Sequence, residues 1–246
     1  MGQQPDLTGQ AALVTGASRG IGRFLALSLA RCGAAIAGTA RSLDSSAGTG
    51  GTLRGTIADI EAMGGRALAV PGEITDPDDA GRIVGAAAAG LGRIDILVNN
   101  AGVFPAATVV DMPAGVWSEQ IEINVNAVFY MCHHTLPVML KQGNGCIINV
   151  SSYLADYYHP THVGYSTTKA AVNRFSVNLA QEIEGSGVRV NSWAPGLTST
   201  DMTSGKGEPV ELLEESFIWL VSPAAAAISG TVAERREVGK SWGPIA

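Results

Sequence analysis

The stretch Ala12–Gly22 reads ALVTGASRGIG: a short apolar run, a turn punctuated by three glycines, then the start of a helical stretch. Gly16 permits a tight turn, Gly20 lets a pyrophosphate approach the backbone, and Gly22 lets helix and strand pack closely. A helix N-terminus at this point offers unpaired N–H groups and the favourable end of its dipole to phosphate. Alone, such a cluster is equally compatible with a plain strand-to-helix connection.

Outward from this turn, short apolar runs alternate with longer helical stretches, the pattern of repeated βα units on a parallel sheet. Six strands are expected, at 11–15, 34–40, 67–70, 94–98, 146–150 and 189–194. They lack polar alternation, as strands covered on both faces should. A seventh at 231–238 is weakened by its charges. Helical stretches fall near 21–32, 52–63, 77–91, 113–141 and 163–184, with Asp76 a cap and Pro77 at the first position of one. Gly33, Gly64-Gly65 and Gly92 follow helices, where left-handed geometry is wanted. Pro137 should kink or end the long fourth stretch. Residues 42–55, rich in Ser, Gly and Thr, read as a flexible loop. The expected architecture is one doubly wound α/β domain over 1–246.

Composition narrows the function. Charged residues make up 15% of the 246 residues, against roughly 25% in an average soluble protein, so the chain can bury a large core. Sixteen basic against 22 acidic side chains, net −6, argue against nucleic acid and against a polybasic membrane anchor. No apolar run reaches the about 18 residues of a membrane span, and the start MGQQPD lacks a signal-like region. Cys32, Cys132 and Cys146 form no C-x-x-C pair and read as small buried apolar residues in a reducing cytoplasm. His133-His134 and His159-x-x-His162 lack the ligand set of a metal site, and no metal is expected.

The glycine spacing is G-x-x-x-G-x-G, preceded by Thr15. In order there follow NNAG (Asn99–Gly102), Asn124 in INVNAVF, Ser152 closing INVSS, Tyr165-x-x-x-Lys169, and APGLTSTDM (Ala194–Met202). This ordered set, over roughly residues 10 to 230, resembles the short-chain dehydrogenase/reductase family. The resemblance implies a Rossmann-like sheet of six to seven strands with a nicotinamide dinucleotide across the strand ends. It implies a carbonyl/secondary alcohol oxidoreductase and a homodimer or homotetramer built on the helices carrying Asn124 and Tyr165. A catalytically idle, redox-sensing dinucleotide module is the alternative, opposed by the intact Asn124, Ser152, Tyr165 and Lys169.

Tyr165 and Lys169, four apart in a helical stretch, share a face. A phenol with pKa near 10 is a poor acid–base group at neutral pH, and a nearby ammonium should lower it. Lys169 is also expected to hold the nicotinamide ribose. Ser152, thirteen positions before Tyr165, can hydrogen-bond the substrate oxygen. Family spacing selects it over Ser151, and no G-x-S-x-G elbow makes it a nucleophile. Family register likewise selects Asn124 over Asn126, in a locally bent helix.

Cofactor contacts implied by the resemblance are Gly16, Ser18, Arg19, Gly20, Ile21 and Gly22 on the turn, then Glu73 and Ile74 near the adenine. Asn100, Ala101 and Gly102 would lie by the adenosine ribose, and Pro195, Gly196, Thr198 and Thr200 by the nicotinamide, beside Tyr165 and Lys169. After the second strand an NAD enzyme would carry Asp; here Ala40 precedes Arg41, whose guanidinium suits a 2′-phosphate. NADP(H) is therefore expected ahead of NAD(H). Tyr153, Tyr157, Tyr158 and His159 are expected to wall the substrate. Residues 203–218 form a shortened lid, whose Ser204–Gly207 part should be mobile.

Overall fold

The computed structural model describes residues 5–44 and 51–243. Seven parallel strands form one sheet in the order β3-β2-β1-β4-β5-β6-β7. They are β1 (Ala11–Thr15), β2 (Ala35–Thr39), β3 (Ala67–Ala69), β4 (Ile96–Asn99), β5 (Gly145–Val150), β6 (Val188–Ala194) and β7 (Val232–Glu234). Strand side chains alternate between two apolar layers. Val14, Ile36, Val98, Ile148 and Trp193 face α1 (Gly20–Arg31) and α7 (Glu214–Val221), where Leu25, Leu29 and Phe217 complete the layer. Leu13, Ala37, Leu97, Ile147 and Val190 face α3 (Pro77–Leu91), α5 (Ala127–Gln142) and α6 (Val163–Glu182). Every strand residue from Ala11 to Thr15 is buried, as a sheet covered on both faces requires.

Chain order reverses between β1 and β4, and ligands of such sheets bind beyond the carboxyl ends of the strands at that switch. The glycine turn leaves β1 and the Asn99–Gly102 segment leaves β4 at this place.

Local signals set several boundaries. The Asp76 carboxylate accepts N–H bonds from Asp78 and Asp79, both at 2.9 Å, with Pro77 opening α3. Gly92 ends α3 with φ of 86°. Helix α2 (Leu53–Ala62) begins with Thr52 as its cap, inside the segment read as loop; within that segment, residues 45–50 lie outside the described residues.

Two expectations are corrected. Pro137 neither ends nor interrupts α5, which runs on to Gln142. Pro137 lies on the exposed side while Met131, Thr135 and Met139 hold the buried one, so the carbonyl that loses its partner faces water. The seventh strand is three residues long, and Arg235–Glu237 turns away as a 3₁₀ turn. The fourth helical stretch divides into α4 (Ala114–Ile121), a π turn at Glu122–Asn126, and α5.

Candidate active site

Thr15, the last residue of β1, joins the two loops of the switch point. Its hydroxyl accepts the N–H groups of Asn100 (3.0 Å) and Ala101 (3.1 Å), and its carbonyl accepts the Asn100 side-chain amide at 3.0 Å. Gly16 and Gly20 have φ of 66° and 55°. A β-carbon at Gly22 would overlap the Gly16 carbonyl and the Asn100 amide, so only glycine lets α1 start so close to the strand end. Helix α1 has no side-chain cap at Arg19 and no acidic residue in its first turn. Its leading N–H groups are thus left for an anion, beside half-buried Ser18 and Ile21. This cradle fits the diphosphate of a dinucleotide.

Beyond β2, Arg41 is exposed, and among the described residues it has no ion-pair partner. Arg19 approaches Asp201 at 3.9 Å, both partly exposed. The Glu73 carboxylate is engaged within its own turn, accepting the Thr75 amide at 3.2 Å and the Thr75 hydroxyl at 2.9 Å. Ile74 packs on the apolar layer of α3 and α5.

Ser152 ends the β5 segment, with its hydroxyl accepting the Leu154 N–H at 3.2 Å. The same hydroxyl acts on the Tyr165 phenol to favour its ionised form. Tyr165 is half-buried on the first turns of α6. Burial pushes its phenol up to about 12, against the lowering effect of the Ser152 hydrogen bond. Lys169 is 4% exposed, donates to the Val150 carbonyl at 2.7 Å, and is pushed down to about 8 by burial. Next to Ser152, Ser151 is buried and donates to the Lys169 carbonyl at 3.4 Å, so it supports the helix.

Asn124 is fully buried within the π turn. Its Oδ1 accepts the Val103 N–H at 2.8 Å, while Nδ2 donates to the Val103 carbonyl (3.0 Å) and the Thr168 hydroxyl (3.1 Å). It thereby ties the loop after β4 to the helix that carries Tyr165. Widening of helices by one residue often marks functional sites. Asn99 donates to Asn149 Oδ1 at 2.8 Å, and Asn149 donates to Ser176 at 2.9 Å, a polar brace between β4, β5 and α6.

Tyr153, Tyr157, Tyr158 and His159 were expected to wall the substrate. Tyr153 and Tyr157 stand 6.4 Å apart, and Arg236 lies over the Tyr157 ring at 4.4 Å. Tyr158 is 90% exposed. His159 is exposed and meets His162, Nδ1 to Nδ1, at 2.8 Å. The sequence does not single out Phe104, which stands edge-on to Tyr165 at 4.5 Å and stacks on buried His162 at 4.5 Å. An aromatic two places after the NNAG run was the available signal.

The segment after β6 is also tied more firmly than its glycines suggest. Thr203 Oγ1 donates to the Thr198 carbonyl at 2.7 Å, Ser199 Oγ donates to the Gly205 carbonyl at 2.9 Å, and Glu208 N–H donates to the Leu197 carbonyl at 2.9 Å. Val210–Leu213 and α7 then pack on α1.

A doubly wound sheet with an open anion cradle and a serine, tyrosine and lysine gathered beside it defines a dinucleotide-dependent oxidoreductase. The chain belongs to the short-chain dehydrogenase family, whose model it matches over residues 10–211. It is 34% identical over 238 residues to the 3-oxoacyl-[acyl-carrier-protein] reductase of Synechocystis sp., covering 91% of this chain and 94% of that one. A 7α-hydroxysteroid dehydrogenase, solved with NADH and 7-oxo glycochenodeoxycholic acid, superposes with a TM-score of 0.86 at 28% identity, covering 93% of each chain. A short-chain type dehydrogenase/reductase from Mycobacterium marinum does so with a TM-score of 0.87 at 31% identity, covering 93% and 94%. The protein is thus a nicotinamide-dependent oxidoreductase of carbonyl and alcohol groups. No helix among the described residues is long and apolar enough to cross a membrane.

Proposed function

We propose that the protein is an NADP(H)-preferring reductase of ketones, reversible toward secondary alcohols, with Tyr165 as the general acid. The observation that carries this reading is the Tyr165 ring on α6 with the buried Lys169 ammonium 5.6 Å from its centroid. A group ionising at about 12 retains its proton at neutral pH, so it can deliver it to a substrate oxygen as charge builds there. Ser152 donates to the same oxygen and stabilises its developing charge. Lys169 favours the phenolate once the proton has left and holds the ribose hydroxyls. The dinucleotide, when bound, supplies or accepts the hydride at nicotinamide C4.

Gly16, Ser18, Gly20, Ile21 and Gly22 would hold the diphosphate, with Asn100, Ala101 and Gly102 along the adenosine ribose. Ile74 would flank the adenine. Pro195, Gly196, Thr198 and Thr200 would carry the nicotinamide end. Exposed Arg41, without an ion-pair partner among the described residues, and Arg19 beside the turn support the NADP preference, since charge-assisted contacts to phosphate are the strong ones. Phe129, 49% exposed on α5 near Phe175 of α6, supports a homo-oligomer through these helices.

The test is NADPH consumption against a panel of ketones, run beside NADH. Turnover with NADPH ahead of NADH supports the reading. Binding of NADPH without turnover of any ketone would instead favour the idle redox-sensing module.

A further inference from the structure

We propose that Arg235 is a positioning residue for the nicotinamide end of the site. The inference rests on the reading that Pro195–Thr200 carries that end. Strands β6 and β7 pair in register up to Ala194 against Glu234. The next pair would be Pro195 against Arg235, but Pro195 has no N–H to give to a ladder. The Arg235 side chain takes over: its Nε–H donates to the Pro195 carbonyl at 2.8 Å, and its other arm pairs with the Glu208 carboxylate. The guanidinium is only 17% exposed and lies against Gly196, which has φ of 85°.

Glu208 closes the loop that Arg235 grips. Its backbone N–H donates to Leu197, and its carbonyl accepts the Ser199 N–H at 2.8 Å. One guanidinium therefore spans the two roots of the loop holding Thr198 and Thr200. A forked, planar cation can make both contacts at fixed angles, which an ammonium cannot. The grip of the tail on this loop sets where the ring rests.

The experiment compares Arg235→Ala, Arg235→Lys and Glu208→Gln with the wild type, reading KM for NADPH, kcat, and the face of hydride transfer from NADPH deuterated on either side of C4. Glu208 is 55% exposed, so its variant tests the same contact with little risk to folding. The expected result is a KM for NADPH raised roughly tenfold in Arg235→Ala and Arg235→Lys, with a smaller change in kcat. Glu208→Gln should move the same way by less. Label should leak to the second face in the arginine variants, a readout that a loss of stability alone does not produce. Unchanged KM and single-face transfer in Arg235→Lys and Glu208→Gln overturn the proposal while leaving the wild-type activity standing. A wild type without turnover overturns the parent reading and this one together.

Discussion

The Lys169 ammonium sits 5.6 Å from the centroid of the Tyr165 ring, one helical turn along α6, with its proton directed to the Val150 carbonyl. The two groups respond to burial in opposite senses. Desolvation disfavours the charged form of each, so the phenol rises to about 12 and the ammonium falls to about 8. In the proposed mechanism, the proton that Tyr165 would deliver rests on the phenol.

Tyr165→Phe keeps the ring and its edge contact with Phe104 but removes the proton. Ketone reduction should fall by roughly 10²–10⁴-fold in kcat, the usual worth of general acid catalysis. NADPH binding, followed by fluorescence titration, should change little. Near-normal turnover would rule out the phenol as the acid.

Arg41→Ala should weaken NADPH by about tenfold or more while leaving NADH nearly unchanged, because only the former presents a 2′-phosphate. Binding constants for the two dinucleotides decide it. Equal losses would mean that the guanidinium does not read the phosphate.

Burial pushes the Lys169 ammonium down from the ordinary lysine value of 10.5 to about 8 on folding. Between those values the unfolded chain holds a proton that the folded chain has released, so stability rises as pH climbs through that window. Below about pH 8 the folded protein bears the full cost of a buried ammonium, of order 3 kcal/mol before its hydrogen bond is counted. Lys169→Met should therefore stabilise the fold near pH 7 by about 1–2 kcal/mol, with the gain shrinking toward pH 10, while turnover collapses. Urea unfolding at both pH values checks the first part; a destabilised variant at neutral pH would refute it.

The loop from Leu197 to Glu208 is short and tied, and α7 lies on α1 instead of over the cleft. Few positioned polar groups then surround a substrate, so kcat/KM should vary by about tenfold or less across ketones of increasing size. A steep fall beyond a small ring or chain would show that the loop closes tightly on a small substrate.

Local chemistry made much of this protein readable from its sequence. Gly16, Gly20 and Gly22 announce the turn because close backbone approach and φ above zero demand glycine. Asp76-Pro77 marks the start of α3 because capping depends on adjacent residues. The strands were visible because a sheet buried on both faces needs unbroken apolar runs. The helical repeat puts Tyr165 and Lys169 on one face, and the ordered motifs around them, Ser152 thirteen positions before the tyrosine above all, single the pair out.

Other features depend on residues distant in the chain, and only the tertiary structure decided them. Pro137 stays within α5 because α5 presents that side to water, which local propensity does not encode. The phenol of Tyr165 rises because the surrounding fold removes it from water, outweighing Ser152. Phe104 and His162, 58 positions apart, stack only because Asn124 draws the loop after β4 onto α6. Arg235 meets Pro195 only because β7 pairs beside β6, 40 positions away, and a proline interrupts the ladder at that point.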